Sequence, residues 1–183
     1  GIVRLIPRMK EWVAADYPGT KIGLTEYNWG AEEHINGATA QADVLGILGR
    51  EGVDLGVRWT APPNDSPVYK AFKMYRNYDG LQSAFGETSF RVSGPNPDQV
   101  AVFGALRAAD GTMTLMVVAK TKGAAYDLKL DLPNFTPTGA AARWQLTARN
   151  AIVQLPNVAV HGSRIQLSVP AQSITLLVIP GTW

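Results

Sequence analysis

Apolar positions in the first 80 residues alternate between helical and extended spacing. Ile6, Met9 and Val13 recur at helical intervals, with Leu5 and Trp12 widening the stripe, so 3–16 reads as a helix. Pro7 suits its first turn, and Tyr17-Pro18-Gly19 ends it. Lys21 to Tyr27 reads as a strand of the kind buried in parallel sheets. Segment 38–51, rich in Ala, Leu and Ile, is the next helix and stops at Gly52. Asp54 to Trp59 is the second strand, followed by a Pro62-Pro63-Asn64-Asp65 loop. Ser66 is a good N-cap with Pro67 in the first helical position. The third helix then covers about 67–79, with Val68, Phe72 and Tyr75 on one face and Gly80 closing it. An α-β-α-β-α order with short connections implies parallel strands joined by right-handed crossovers. A parallel sheet needs cover on both faces, which two strands alone cannot provide. Residues 1–80 therefore read as part of a larger sheet or barrel.

The pattern changes near residue 80. Short β-rich runs follow, with strands expected at 99–107, 112–119, 126–130, 142–148, 158–160, 164–169 and 173–179. Asp110-Gly111 between two apolar runs is a hairpin signal. Pro133-Asn134, Pro137, Pro156-Asn157, His161-Gly162 and Pro170 read as breaks. Short strands at this spacing suggest an antiparallel β-sandwich over 81–183, with Ser173 to Ile179 as a central strand.

Composition narrows the class. The 183 residues are 46% hydrophobic and 17% charged, which argues against disorder. A complete (β/α)₈ barrel needs about 200–250 residues, so the chain is too short for one. The net charge of +2 is scattered and unclustered, which argues against nucleic acid as a partner. Without cysteine there is no disulfide framework and no thiol nucleophile. No apolar run approaches the roughly 18 residues of a membrane span, so no membrane partner is expected.

The most informative stretch is Thr25-Glu26-Tyr27-Asn28-Trp29-Gly30. It puts a carboxylate at the C-terminal end of a parallel-type strand, where α/β active sites lie. Period two puts Ile22, Leu24 and Glu26 on one face, the interior face of a barrel. Trp59 ends the next strand at the equivalent level, and its indole, like that of Trp29, can stack on the C–H face of a sugar. Against these stand plainer readings: a Glu turning into solvent, and tryptophans packed under loops. His34 reads as a solvated loop histidine, and Glu32-Glu33 as a solvated pair near a helix N-terminus. Gly46, Gly49 and Gly52 do not form a phosphate loop; small residues there suit close helix–sheet packing. No G-x-S-x-G motif is present, which argues against a serine hydrolase.

Several runs resemble the C-terminal part of glycoside hydrolase family 44: Ile6-Pro7-Arg8-Met9-Lys10-Glu11-Trp12, Tyr17-Pro18-Gly19-Thr20-Lys21, Thr25 to Gly30, His34-Ile35-Asn36-Gly37 and Ala40 to Gly46. These are endo-β-1,4-glucanases, some also acting on xylan or xyloglucan. The resemblance is specific through about residue 80 and architectural beyond it. It implies that 1–80 supplies the last strands and helices of a (β/α)₈ barrel and that 81–183 forms most of an appended β-sandwich. It implies Glu26 as the nucleophile, with Trp29, Trp59, Tyr27 and Asn28 contacting substrate.

The resemblance also implies a deficit. The acid/base carboxylate belongs at the end of a fourth strand, for which this chain has no counterpart. Glu87 and Asp98 fall on the wrong elements. A retaining glycosidase needs two carboxyl groups about 5–5.5 Å apart, so the chain alone is expected to be inactive. No cofactor is required for this chemistry, and a structural metal ion is left open. The expected partners are β-glucan and either the missing N-terminal barrel segment or a second copy of the chain. An extracellular location follows from the resemblance alone. The competing readings make 81–183 a carbohydrate-binding module or a purely structural buttress. Trp144, Trp183 and Tyr126 are its only Trp and Tyr residues, thin for a sugar platform.

Overall fold

A computed structural model describes residues 3–94 and 96–183. The N-terminal half runs α1 (Leu5–Asp16), β1 (Gly23–Tyr27), α2 (Ile35–Arg50), β2 (Leu55–Arg58) and α3 (Pro67–Arg76). Strands β1 and β2 pair in parallel. On α1 the expected stripe of Ile6, Met9 and Val13 is half-buried, whereas Trp12 and Leu5 stay exposed. The second helix begins three residues before the expected start. Its N-cap is His34, whose Nδ1 accepts from the Asn36 backbone N–H at 3.1 Å. Imidazole nitrogen fills the role usually taken by Ser, Thr, Asp or Asn, so the start carries no familiar cap residue. At α3, the Ser66 side chain accepts from Tyr69 N and Pro67 opens the helix.

The remainder is antiparallel. In chain order come β3 (Thr88–Phe90), β4 (Val100–Leu106), β5 (Met113–Ala119), β6 (Tyr126–Asp131), β7 (Thr136–Pro137), β8 (Ala141–Leu146) and β9 (Ile152–Val158). Then follow β10 (Val160–His161), β11 (Arg164–Val169), β12 (Ser173–Ile179) and β13 (Gly181–Thr182). A six-stranded sheet has the order β3-β4-β5-β12-β8-β9, a three-stranded sheet the order β10-β11-β6, and β13 pairs with β7. The central position of β12 matches its apolar run. The Asp110-Gly111 turn closes the β4–β5 hairpin, with Gly111 at φ 69°.

Strand β9 lies where Pro156-Asn157 reads as a break. It is an edge strand paired only with β8, and the register shifts between Ala141 and Arg143 opposite Val158 and Leu155. Pro156 therefore sits in a bulge on an edge, where no ladder donor is needed.

The six-stranded sheet is buried on both sides. Leu115, Val117, Leu177 and Ile179 meet Leu128, Ile165 and Val169 of the smaller sheet. Met116, Val118, Ile174 and Leu176 meet Ile35, Ala38 and Ala42 of α2 and Ala71, Met74 and Tyr75 of α3. This explains why every residue of β5 is buried and why its sequence does not alternate. One apolar cluster thus spans residues on both sides of the composition change near residue 80. Helix α2 is seated closely because Gly46 stands over the Phe103 ring, 2.2 Å from where a Cβ would sit. Among the described residues, no helix is long and apolar enough to cross a membrane.

Candidate functional site

Parallel pairing brings the C-terminal ends of β1 and β2 side by side. The Trp59 backbone N–H donates to the Tyr27 carbonyl at 3.0 Å. The register slips within β1: Leu24 lies opposite Gly56, but Tyr27 lies opposite Arg58. Gly56 faces α2, since a Cβ there would meet Leu48 at 2.6 Å. Tyr27 also faces α2, because its hydroxyl accepts from Gln41 Nε2 at 3.1 Å. Leu24, paired with Gly56, shares its side, so Ile22 and Leu24 face α2 and not a barrel interior as expected. Two residues, Thr25 and Glu26, then stand between the helix-facing Leu24 and Tyr27 instead of one. The expected common face of Ile22, Leu24 and Glu26 is therefore broken by the bulge, and Glu26 is exposed.

On β2 the same two-sidedness is clear. Leu55 and Val57 alternate with Gly56 and lie on the side away from α2, 54% and 43% exposed. Trp59 continues that row at 56% exposure. Apolar side chains at alternate positions are uncovered here, whereas the helix side is packed.

The segment after Glu26 is held residue by residue. Tyr27 is anchored by Gln41, which is fully buried. Trp29 stacks on Tyr27 with ring centroids 5.5 Å apart and planes at 17°. Asn28 Oδ1 accepts from Gly30 N at 3.0 Å and from Arg58 Nη2 at 2.8 Å. Gly30 (φ 73°) and Ala31 (φ 57°) then turn the chain toward α2. Gly37 permits the close approach there, since a Cβ would lie 2.1 Å from the Ala31 carbonyl oxygen.

Arg58 is the residue that sequence reasoning missed. Its side chain is 3% exposed and pairs with Glu32 Oε1. Nη1 also donates to the carbonyls of Trp59 and Thr60, at 3.3 and 3.0 Å. The guanidinium bond, and then its own backbone N–H, hold the Glu32 carboxyl below the usual carboxylate range. Glu32 is therefore a partner of a buried cation, not half of a solvated Glu32-Glu33 pair. The only sequence signal for this was an Arg directly before Trp59 at a strand end, and its partners lie 26 and 30 residues away.

A second clamp fixes the loop after Trp59. Lys70 Nζ pairs with Asp65 at 2.9 Å and donates to the Asn150 carbonyl at 2.6 Å. Asn150 Nδ2 donates to the Asp65 carbonyl at 3.0 Å. The β8–β9 turn of the sandwich thus holds the loop that leads from Trp59 into α3.

His34 is placed as a helix cap, Trp144 packs against Tyr78 at 5.5 Å, and Trp183 lies against Phe90 at 5.5 Å. Among the described residues, no group of three His, Asp or Glu side chains could hold a metal ion.

No family model matches the chain. Beta-mannanase/endoglucanase A of Caldicellulosiruptor saccharolyticus is 34% identical over 137 residues, covering 73% of this chain and 10% of that protein. The crystal structure of a bifunctional glucanase-xylanase protein from a metagenome library has a TM-score of 0.96 at 56% identity, over 98% of this chain and 35% of that one. A Paenibacillus polymyxa xyloglucanase from glycoside hydrolase family 44 has a TM-score of 0.89 at 31% identity, over 96% of this chain and 35% of that one. The chain thus spans about a third of these solved structures and a tenth of that curated relative.

Proposed function

We propose, from the premise that the chain belongs to glycoside hydrolase family 44 over the part it spans, that it is the nucleophile-bearing C-terminal segment of a retaining endo-β-1,4-glucanase. Xylan and xyloglucan are related substrates for the same site. Residues 1–80 are the last strands and helices of the (β/α)₈ barrel, and 81–183 is the sandwich that supports them. The observation that carries this reading is the pair of parallel strands ending together in Glu26 and Trp59. Their side away from α2 is exposed and apolar at Leu55 and Val57, as the inner wall of an opened barrel would be.

The chemistry suits the residues. A Glu26 carboxylate oxygen forms a bond to the anomeric carbon while the glycosidic C–O bond breaks. The leaving oxygen takes a proton from a second carboxyl group. That group, now a carboxylate, deprotonates a water, which attacks the same carbon and releases Glu26. Trp29 and Trp59 stack on sugar faces and Asn28 offers a polar contact. Tyr27, turned toward α2 with its hydroxyl on Gln41, holds the segment instead of touching substrate as expected. The second carboxyl group comes from the barrel segment this chain does not contain, so the chain alone does not turn over substrate.

For the sandwich, the structural role is favoured over sugar binding. Its larger sheet buries one face under α2 and α3, and Trp144 is packed into that contact. The deciding experiment uses the parent protein with its complete barrel. A mechanism-based fluorosugar should leave its covalent label on Glu26, and Glu26→Gln should lower kcat by about ten-thousand-fold. A label on any other carboxylate rejects the assignment.

A further inference from the structure

The Arg58 side chain does more than fill a buried position. Asn28 Oδ1 accepts two N–H groups, one from Arg58 Nη2 at 2.8 Å and one from Gly30 N at 3.0 Å. A carboxamide oxygen has two lone pairs, and both are taken. A flipped amide would set its own N–H donors against two other donors, so the hydrogen-bond network decides the orientation. Arg58 cannot change its part, because a guanidinium is donor-only and always charged. Nor can it easily move. Glu32 holds the same nitrogen, and the carbonyls of Trp59 and Thr60 hold the other. Thr60 sits at φ 61°, a conformation that needs such support.

Asn28 is exposed, next but one to Glu26. With its oxygen occupied, the amide NH₂ is what it offers to solvent. We propose that Arg58 is a positioning residue that makes Asn28 a fixed, donor-only contact beside the candidate nucleophile. The site then takes a ligand oxygen with a free lone pair, a sugar hydroxyl or ring oxygen, at that position. This rests on the reading of Glu26 and its neighbours given above, and it adds Arg58 and a direction of hydrogen bonding to it.

The test uses the parent protein carrying Glu26→Gln, so that binding is measured apart from turnover. Asn28→Asp keeps an oxygen for Arg58 and Gly30 but removes the NH₂. Cellotetraose affinity by calorimetry should fall about tenfold while the melting temperature holds, because one ligand hydrogen bond is lost. Arg58→Lys replaces the fork with a point charge and frees the amide to turn, so it should weaken binding by a similar factor. The double variant should bind no worse than either single variant, since both act through one contact. A merely structural Arg58 predicts unchanged affinity in a folded Arg58→Lys, and that result overturns the inference, as do unchanged affinity in Asn28→Asp and additive losses. If Arg58→Lys does not fold, Glu32→Ala, which frees the Arg58 nitrogen that bonds Asn28, takes its place with the same expected direction. Fluorosugar labelling with Glu26 intact separates the two readings. A label on Glu26 with unchanged Asn28→Asp affinity rejects only the Arg58 inference; a label elsewhere rejects both.

Discussion

Asp110 closes the β4–β5 hairpin through charge. Arg107 Nε and Nη2 donate to its carboxylate at 3.0 and 2.8 Å, and Thr112 N donates at 3.0 Å. The Arg107 bond, with smaller help from Thr112, lowers the Asp110 pKa to about 2. An unfolded Asp titrates near 3.9. The folded value is depressed, so this contribution is present above about pH 4 and lost as pH falls through about 2. The Asp110 side chain is 48% exposed, so solvent screening keeps it below about 1 kcal/mol. Asp110→Asn should therefore lower the melting temperature at pH 7 by the equivalent of at most about 1 kcal/mol, and should flatten its fall between pH 4 and pH 2. Glu32 follows the same sign through Arg58, so acid should also loosen the Asn28 loop. Of the site, the Thr25-to-Gly30 run was legible because a carboxylate and aromatics at a strand end are a local signal. Arg58 was not, since its meaning lies in the Asn28 and Glu32 oxygens brought in from another loop.

Helix α2 shows how one residue type takes opposite parts within a single element. Gly46 is buried, and an added Cβ would strike the Phe103 ring at 2.2 Å. Gly49 is exposed with nothing within 4 Å of an added Cβ. Gly46→Ala should destabilise by about 1–3 kcal/mol through overpacking, despite the better helix former. Gly49→Ala should stabilise by about 0.5–1 kcal/mol through the smaller backbone entropy of the unfolded chain. Thermal melts of the two variants should move in opposite directions. Existence and type of the long elements were readable from period and caps, as at Ser66-Pro67 and Asp110-Gly111. Strand β9 was hidden because Pro156 is tolerated only by virtue of the bulge against β8. The early start of α2 was hidden because His34 caps it with an imidazole.

The isolated chain leaves the outward sides of Leu55, Val57 and Trp59 in solvent. Apolar patches beside strand edges favour association. Sedimentation of the chain alone should show mass rising with concentration, and Leu55→Lys with Val57→Thr should return it toward monomer. The chain alone should also show no glucanase turnover. Activity that vanishes in Glu26→Gln with no second polypeptide present would overturn that expectation. An intact-mass spectrum of the assayed sample therefore comes first, since a barrel-sized companion changes what inactivity or activity means.

Local chemistry was enough to read the helices and parallel strands of 1–80, the long antiparallel strands β4, β5, β6, β8, β11 and β12, the hairpin at Gly111 and the carboxylate at the end of β1, but not β9 or the short β3, β7 and β13. Those features depend on spacing of three to four or of two, and on residues with special backbone freedom, all contained within a few positions. Three others came from distant partners meeting in space. They are the seating of α2 and α3 on the sandwich, the bulge that releases Glu26 from Leu24's face, and the Arg58 contacts that orient Asn28. Packing and hydrogen bonding between segments tens of residues apart carry no periodic trace along the chain, so only the assembled fold reveals them.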